Sequence, residues 1–270
     1  MNYIKYIINN IFIKYLKFWI FFFMLFIFCI FLSYFNKNIR TNKIATNILN
    51  GVFVGNGIVI NDKDVLVNKT LIDNNCFGIA TGKIGNIYVM AENIAHGVFI
   101  YATDKINDMT ILRLKEYNDS IKNHAILQID SPSYSINRRL LVPFTKNHAS
   151  QFIFKEIRIT NVNNNNFFLA TKNIFRKKEI IGSPLFSKNF LLQGIIKEIN
   201  NNYTSKTFRD NLLNKLNIQE IYLANNLEII KTFLNNHNIK YSMAGKNFQL
   251  NNSIYSPQKS VVNVICVKRY

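Results

Sequence analysis

From Gly51 onward the chain is a succession of short apolar runs of strand length, separated by Asn, Asp and Gly. The runs are Val52–Val54, Gly57–Ile60, Val65–Val67, Ile84–Met90, Gly97–Tyr101 and Met109–Leu114, then Leu140–Phe144, Phe152–Ile159, Phe167–Leu169, Leu185–Phe186 and Leu191–Ile196. Runs this short and closely spaced, with almost no helical periodicity between them, predict a mainly β chain, either a barrel or a sandwich. The Asn-rich stretch Asn161 to Asn166 reads as a low-complexity loop insert. After Asn200 the pattern changes. Leu227, Ile230, Phe233 and Leu234 fall at helical spacing, with Asn225 or Asn226 as N-cap and Glu228 in the first turn. Ser242 to Lys259 reads as loop, and Val261 to Val267 as a last strand.

The N-terminus obeys a different rule. Phe18 to Phe35 carries no charge, glycine or proline. An apolar helix needs about 17–25 residues to cross a bilayer core, and this run reaches the lower end of that range. Trp19 and Tyr34 sit near its ends, as interfacial aromatics do. No small-x-small cleavage site follows Tyr34, so the expectation is an uncleaved signal anchor in contact with the lipid bilayer. Lys5, Lys14 and Lys17 precede the span while Lys37, Arg40 and Lys43 follow it, and the positive-inside rule does not choose an orientation.

The formal net charge is +18, from 33 Lys+Arg against 15 Asp+Glu. Such a balance favours anionic partners. The basic residues are scattered singly through a composition rich in Asn, Lys, Ile and Phe, and no nucleic-acid motif occurs, so nucleic acid is not the expected partner. There are 3 cysteines. Cys29 lies in the apolar run, and Cys76 and Cys266 are too few for a disulfide framework and wrongly spaced for zinc. His96, His124, His148 and His237 are isolated and read as surface or loop residues. Asp62 and Asp64 belong to a hairpin turn, and Asp104 with Asp108 lacks any surrounding motif. No cofactor and no metal are expected.

Three blocks carry a family resemblance. Gly55 to Asp73 (GNGIVINDKDVLVNKTLID) resembles the strand-turn-strand that bears the catalytic histidine in bacterial HtrA-type, trypsin-like serine peptidases. Asn107 to Leu114 (NDMTILRL) resembles their aspartate-bearing strand, and Gly182-Ser183-Pro184-Leu185-Phe186 resembles the turn that holds the nucleophile. Ile221 to Tyr241 and Val264 to Val267 are similar to the helix and terminal strand of one bacterial subgroup. The resemblance implies a two-barrel trypsin-like fold with a C-terminal helix and strand, behind an N-terminal transmembrane helix. It also suggests a disulfide between Cys76 and Cys266, since that subgroup often has a cysteine near the first position.

On this alignment the triad positions hold Thr70, Asp108 and Ile181, and the oxyanion turn holds Glu179, Gly182 and Ser183. Isoleucine has no nucleophilic atom, and a threonine hydroxyl is not a general base near neutral pH. Ser183, two positions after Ile181, points elsewhere from such a turn.

The expected organisation is a cytoplasmic segment and signal anchor over residues 1–36, a linker over 37–50, the double barrel over 51–205, and a helix and strand packed on the barrels over 206–270. The resemblance implies the bacterial inner membrane, with the N-terminus cytoplasmic and the body periplasmic. Three functions compete: a non-cleaving homologue that binds a peptide or protein, an active serine endopeptidase with a rearranged triad, and a basic module on an anionic membrane.

Overall fold

The structure, a computed structural model, describes residues 15, 18–31, 52–76, 86–91, 94–116, 121, 123–129, 134–145, 152–163, 166–171, 180–197, 220–245 and 257–267. The chain divides into two units, Met1–Leu49 and Asn50–Tyr270. In the first, residues 18–31 form a helix (α1) whose side chains are all exposed. Among the described residues no helix is long and apolar enough to cross a membrane. The remainder of the expected span, residues 32–35, and the linker 37–50 lie outside the described residues.

The second unit contains two barrels. The first uses β1 (Val52–Val59), β2 (Asp64–Asn68), β3 (Asn86–Ala91), β4 (Ile94–Asp104), β5 (Met109–Leu114) and, from the far end of the chain, β14 (Val261–Val267). These close in the order β1-β14-β3-β4-β5-β2. Every pairing is antiparallel. Between β2 and β3 a helix, α2 (Lys69–Cys76), leaves the barrel rim.

The second barrel uses β7 (Arg139–Thr145), β8 (Phe152–Asn163), β9 (Asn166–Thr171), β10 (Pro184–Phe186), β11 (Leu192–Lys197) and β12 (Glu220–Asn226). The order β10-β7-β8-β9-β12-β11 closes on itself through a β10–β11 pairing, again antiparallel throughout. Two short strands, β6 (Ile126–Gln128) and β13 (Ser242–Ala244), extend this sheet beyond β11 by parallel pairing. The last helix, α3 (Leu227–Asn236), starts where β12 stops, its N-terminus capped by the Asn226 side chain accepting from Ile229 N at 3.0 Å.

Burial explains the apolar runs. Val65 and Val67 point into the first barrel with Val54, Val89, Leu112 and Val264. Leu66, Ile58, Met109 and Ile111 point the other way, into a cluster shared with Phe186, Ile195, Leu227 and Ile230 of the second barrel and α3. A strand buried on both faces reads as a continuous apolar run, whereas β3, half-buried on one face, alternates.

The topology revises the expected division at residue 205. Beyond it, β12 and β14 are barrel staves rather than appendages, because each pairs on both edges and its barrel is open without it. The Asn tract is not a loop insert either. Asn161 to Asn163 continue β8, Asn166 starts β9, and Asn163 pairs with Asn166, since backbone hydrogen bonding is indifferent to side-chain polarity. Within Ser242–Lys259 the first three residues form β13, held by register with β6.

One of the histidines differs from expectation. His124 contacts Asp62 at 2.7 Å and His237 closes the C-terminus of α3, but His96 is buried within β4. His148 lies outside the described residues. Burial pushes the His96 imidazole below its ordinary value of 6.5. The unfolded chain therefore takes up a proton near pH 6.5 that the folded chain refuses until lower pH, and stability falls as pH drops through that window. His96→Phe should flatten urea-unfolding midpoints between pH 7 and pH 5; an unchanged acid slope contradicts the assignment.

Candidate functional site

The three motif blocks meet where the barrels face each other. A four-residue turn leads into β5, and Asp104 organises it. One oxygen accepts from Ile106 N and Asn107 N at 3.0 Å, and the other from the Asn107 side chain at 2.7 Å. The turn delivers Asp108 with φ 55, a left-handed conformation that aspartate tolerates better than most residues. The Asn225 side chain of β12 donates to Asn107 O and ties the turn to the second barrel.

From there the Asp108 carboxylate reaches the start of α2. Its Oδ1 accepts from Thr70 N and from Thr70 Oγ1, both at 2.7 Å, and its Oδ2 accepts from Asn68 Nδ2 at 2.9 Å. Lys69 N donates to Asp108 O at 3.3 Å. A carboxylate on the first amides of a helix satisfies donors that have no partner within the helix and opposes its dipole. Asp108 is thus an N-terminal cap for α2 supplied from 38 residues away.

The facing wall is the turn at Gly182, which has φ 80. A Cβ at Gly182 would lie 2.6 Å from Leu71 Cδ1 and 2.8 Å from Asn56 O, so glycine is required by both conformation and space. Ile181 is 6% exposed and belongs to a core cluster with Leu71 and Leu185. Ser183 is fully buried, and Asn56 Nδ2 donates to its Oγ at 2.8 Å. Gly182 N and Ser183 O are both engaged by Ile196 of β11. Glu179 lies outside the described residues.

Lys197, the last residue of β11, is half-buried here. Burial lowers its pKa from the ordinary lysine value, while Asp108 and Asp104 act in the opposite direction. Among the described residues no group of three or more His, Cys, Asp or Glu could hold a metal ion.

The site thus brings Thr70 and Asp108 into direct contact and places Ile181 in the adjoining core, joined to Thr70's neighbour Leu71. The Thr70 hydroxyl donates to the Asp108 carboxylate, which also accepts from Asn68, and the Ile181 side chain presents only carbon. Cys76, at the end of α2, is disulfide-bonded to Cys266 of β14 with Cα atoms 5.2 Å apart.

Asn56, Asn68, Leu71 and Lys197 were not singled out by the sequence reading. One signal for Asn56 was available. Gly55-Asn56-Gly57 inside an apolar strand marks a place where another backbone comes close, and here that is the Ile181–Gly182 turn.

No family model matches the chain, and no curated protein matches it. Solved structures do. The active form of the Rv3671c protease of M. tuberculosis shares 12% identity, over 70% of this chain and 75% of that one, with a TM-score of 0.47. Deg5 shares 11% identity over 72% of this chain and 88% of its own, with a TM-score of 0.47. A Glu endopeptidase in complex with MPD shares 11% over 67% and 83%, with a TM-score of 0.45. The double-barrel architecture rests on the chain's own strand pairings.

Proposed function

We propose that this chain is a trypsin-like serine-protease homologue that binds a peptide or protein segment without cutting it. In this reading the apolar N-terminus anchors it to the inner membrane, with its body in the periplasm, and the cleft between the barrels is the binding surface. The observation that carries it is the Asp108 carboxylate, bonded to Thr70 where a catalytic histidine would stand, beside a buried isoleucine where a nucleophile would stand. Losing both the attacking atom and the proton acceptor removes the covalent route, while the turn and the helix cap keep the cleft in shape.

The test is direct. The full-length chain in neutral detergent micelles is incubated with a fluorophosphonate probe and with unfolded casein, beside trypsin as control. The expected result is an unlabelled chain and intact casein. Stoichiometric labelling of a serine in this chain, or cleavage that co-purifies with it and is lost on mutating that serine, overturns the proposal.

A further inference from the structure

We infer that the end of the second barrel remote from Asp108 carries a binding site for a phosphate-type oxyanion. Its position is fixed by β10. Gly182 and Ser183 precede that strand and Ser187 follows it, so the two sites are separated by the strand's three residues, about 10 Å at 3.3 Å per residue. The inference stands on its own geometry and does not depend on the proposed function of the cleft.

There a pocket of about 450 Å³, a volume usual for small-molecule sites, opens between two turns. One turn supplies Asn137, Arg138 and Arg139, and the other Ser187, Lys188 and Asn189. Arg138, Arg139 and Lys188 therefore line it with two asparagines and a serine from opposite walls, and none of the described lining residues carries a carboxylate. A single carboxylate ligand offers two oxygens in a plane, whereas a phosphate group offers acceptors in three dimensions and up to two charges. Donors from two facing walls suit the second better.

Both walls are fixed before any ligand arrives. Asn137, at φ 69, donates to Ile159 O at 2.8 Å, and Ile159 N returns a bond to Arg138 O at 2.9 Å. Opposite, Ser187 N donates to Leu191 O at 2.9 Å and Leu191 N to Ser187 Oγ at 3.2 Å. Behind the pocket a buried amide relay orients one guanidinium. Arg138 Nη2 donates to Gln193 Oε1 at 3.2 Å, and Gln193 Nε2 donates to Gln128 Oε1 at 2.9 Å. Gln193 is 0% and Gln128 2% exposed, so the relay is part of the core, and its use there is to hold Arg138. Arg139 is paired with Glu156 at 3.1 Å, but both side chains are 49% exposed, and such a surface pair yields readily to an incoming dianion.

The experiment titrates the full-length chain in neutral detergent micelles with inorganic phosphate and, separately, with glycerol 3-phosphate, by calorimetry at fixed ionic strength. The expected result is saturable one-to-one binding. It should weaken about tenfold or more in the double variant R139Q/K188Q, which removes two exposed cations from the pocket. The variant K63Q/K115Q, with the same change in net charge elsewhere on the surface, should bind as the parent does. Tighter binding of glycerol 3-phosphate than of inorganic phosphate assigns the site to a lipid headgroup, and equal affinity to free phosphate. Absence of saturable binding, or equal loss in both double variants, overturns the inference. Matching urea midpoints for parent and variants exclude a folding effect.

Discussion

Replacing both Cys76 and Cys266 by alanine should lower the unfolding free energy by about 3–5 kcal/mol. The two cysteines are 190 residues apart in sequence, and closing so long a loop in the unfolded chain corresponds to about 5 kcal/mol in the chain-entropy account. Their Cα separation of 5.2 Å lies well inside the range that a disulfide spans. Both are 0% exposed and packed among Val54, Val89 and Val264. The substitution therefore also loses two buried sulfurs and leaves a small void. Alanine is preferred to serine, which would bury two hydroxyls without partners. Urea unfolding of the full chain in micelles measures the effect. An unchanged midpoint in the double variant would show that the bridge constrains nothing that folding does not already hold.

Replacing Asp108 by alanine should cost about 3 kcal/mol of stability. In a working triad the aspartate orients an imidazole, and its loss is felt mainly in rate. Here three donors converge on it, from Thr70 N, Thr70 Oγ1 and Asn68 Nδ2, and part-buried bonds to an ionised group are each worth about 1.5–3 kcal/mol without adding fully. Alanine also resists the left-handed backbone at φ 55, at about 1–2 kcal/mol. Asp108→Asn should be milder, about 1–2 kcal/mol, since asparagine accepts that backbone and keeps an oxygen for Thr70 while turning an amide towards Asn68. Thermal or urea unfolding of both variants reads the order directly. If Asp108→Ala and Asp108→Asn are equally stable and match the parent, the capping role is wrong.

Strand periodicity carried far. Val261 to Val267 was legible as a strand with the same bounds that the structure gives β14, and the helical spacing from Leu227 located α3 and left its cap between Asn225 and Asn226, of which the structure uses Asn226. What failed had long-range causes. Helix α2 has neither an acidic first turn nor a basic last turn of its own, because its cap is Asp108, and no local window contains both. Asn161 to Asn163 looks like a loop because its side chains are polar, yet its backbone is held by pairing with β9. At the candidate site, motif order alone brought Thr70, Asp108 and Ile181 into one neighbourhood. Whether Asp108 would cap or orient could be learned only from where its oxygens point. The pocket at Arg138 draws on two turns some fifty residues apart in sequence, and scattered single cations reveal nothing until the barrel brings them together.

The position of β14 has a consequence for the order of assembly. The wall between β1 and β3 is made of residues 261–267, so Val52 waits for Cys266 and Tyr88 for Ile265. During synthesis the first barrel to begin is the last to close. Until the final stave arrives, β1 and β3 each present an open edge, and closure must join segments about two hundred residues apart, which is slow. The second barrel needs nothing beyond Asn226 to complete its ring and can form while the first still gapes. The nascent chain thus passes through a stage in which one half is folded and the other is an unsealed sheet, the stage at which it is most exposed to mispairing and to proteolysis.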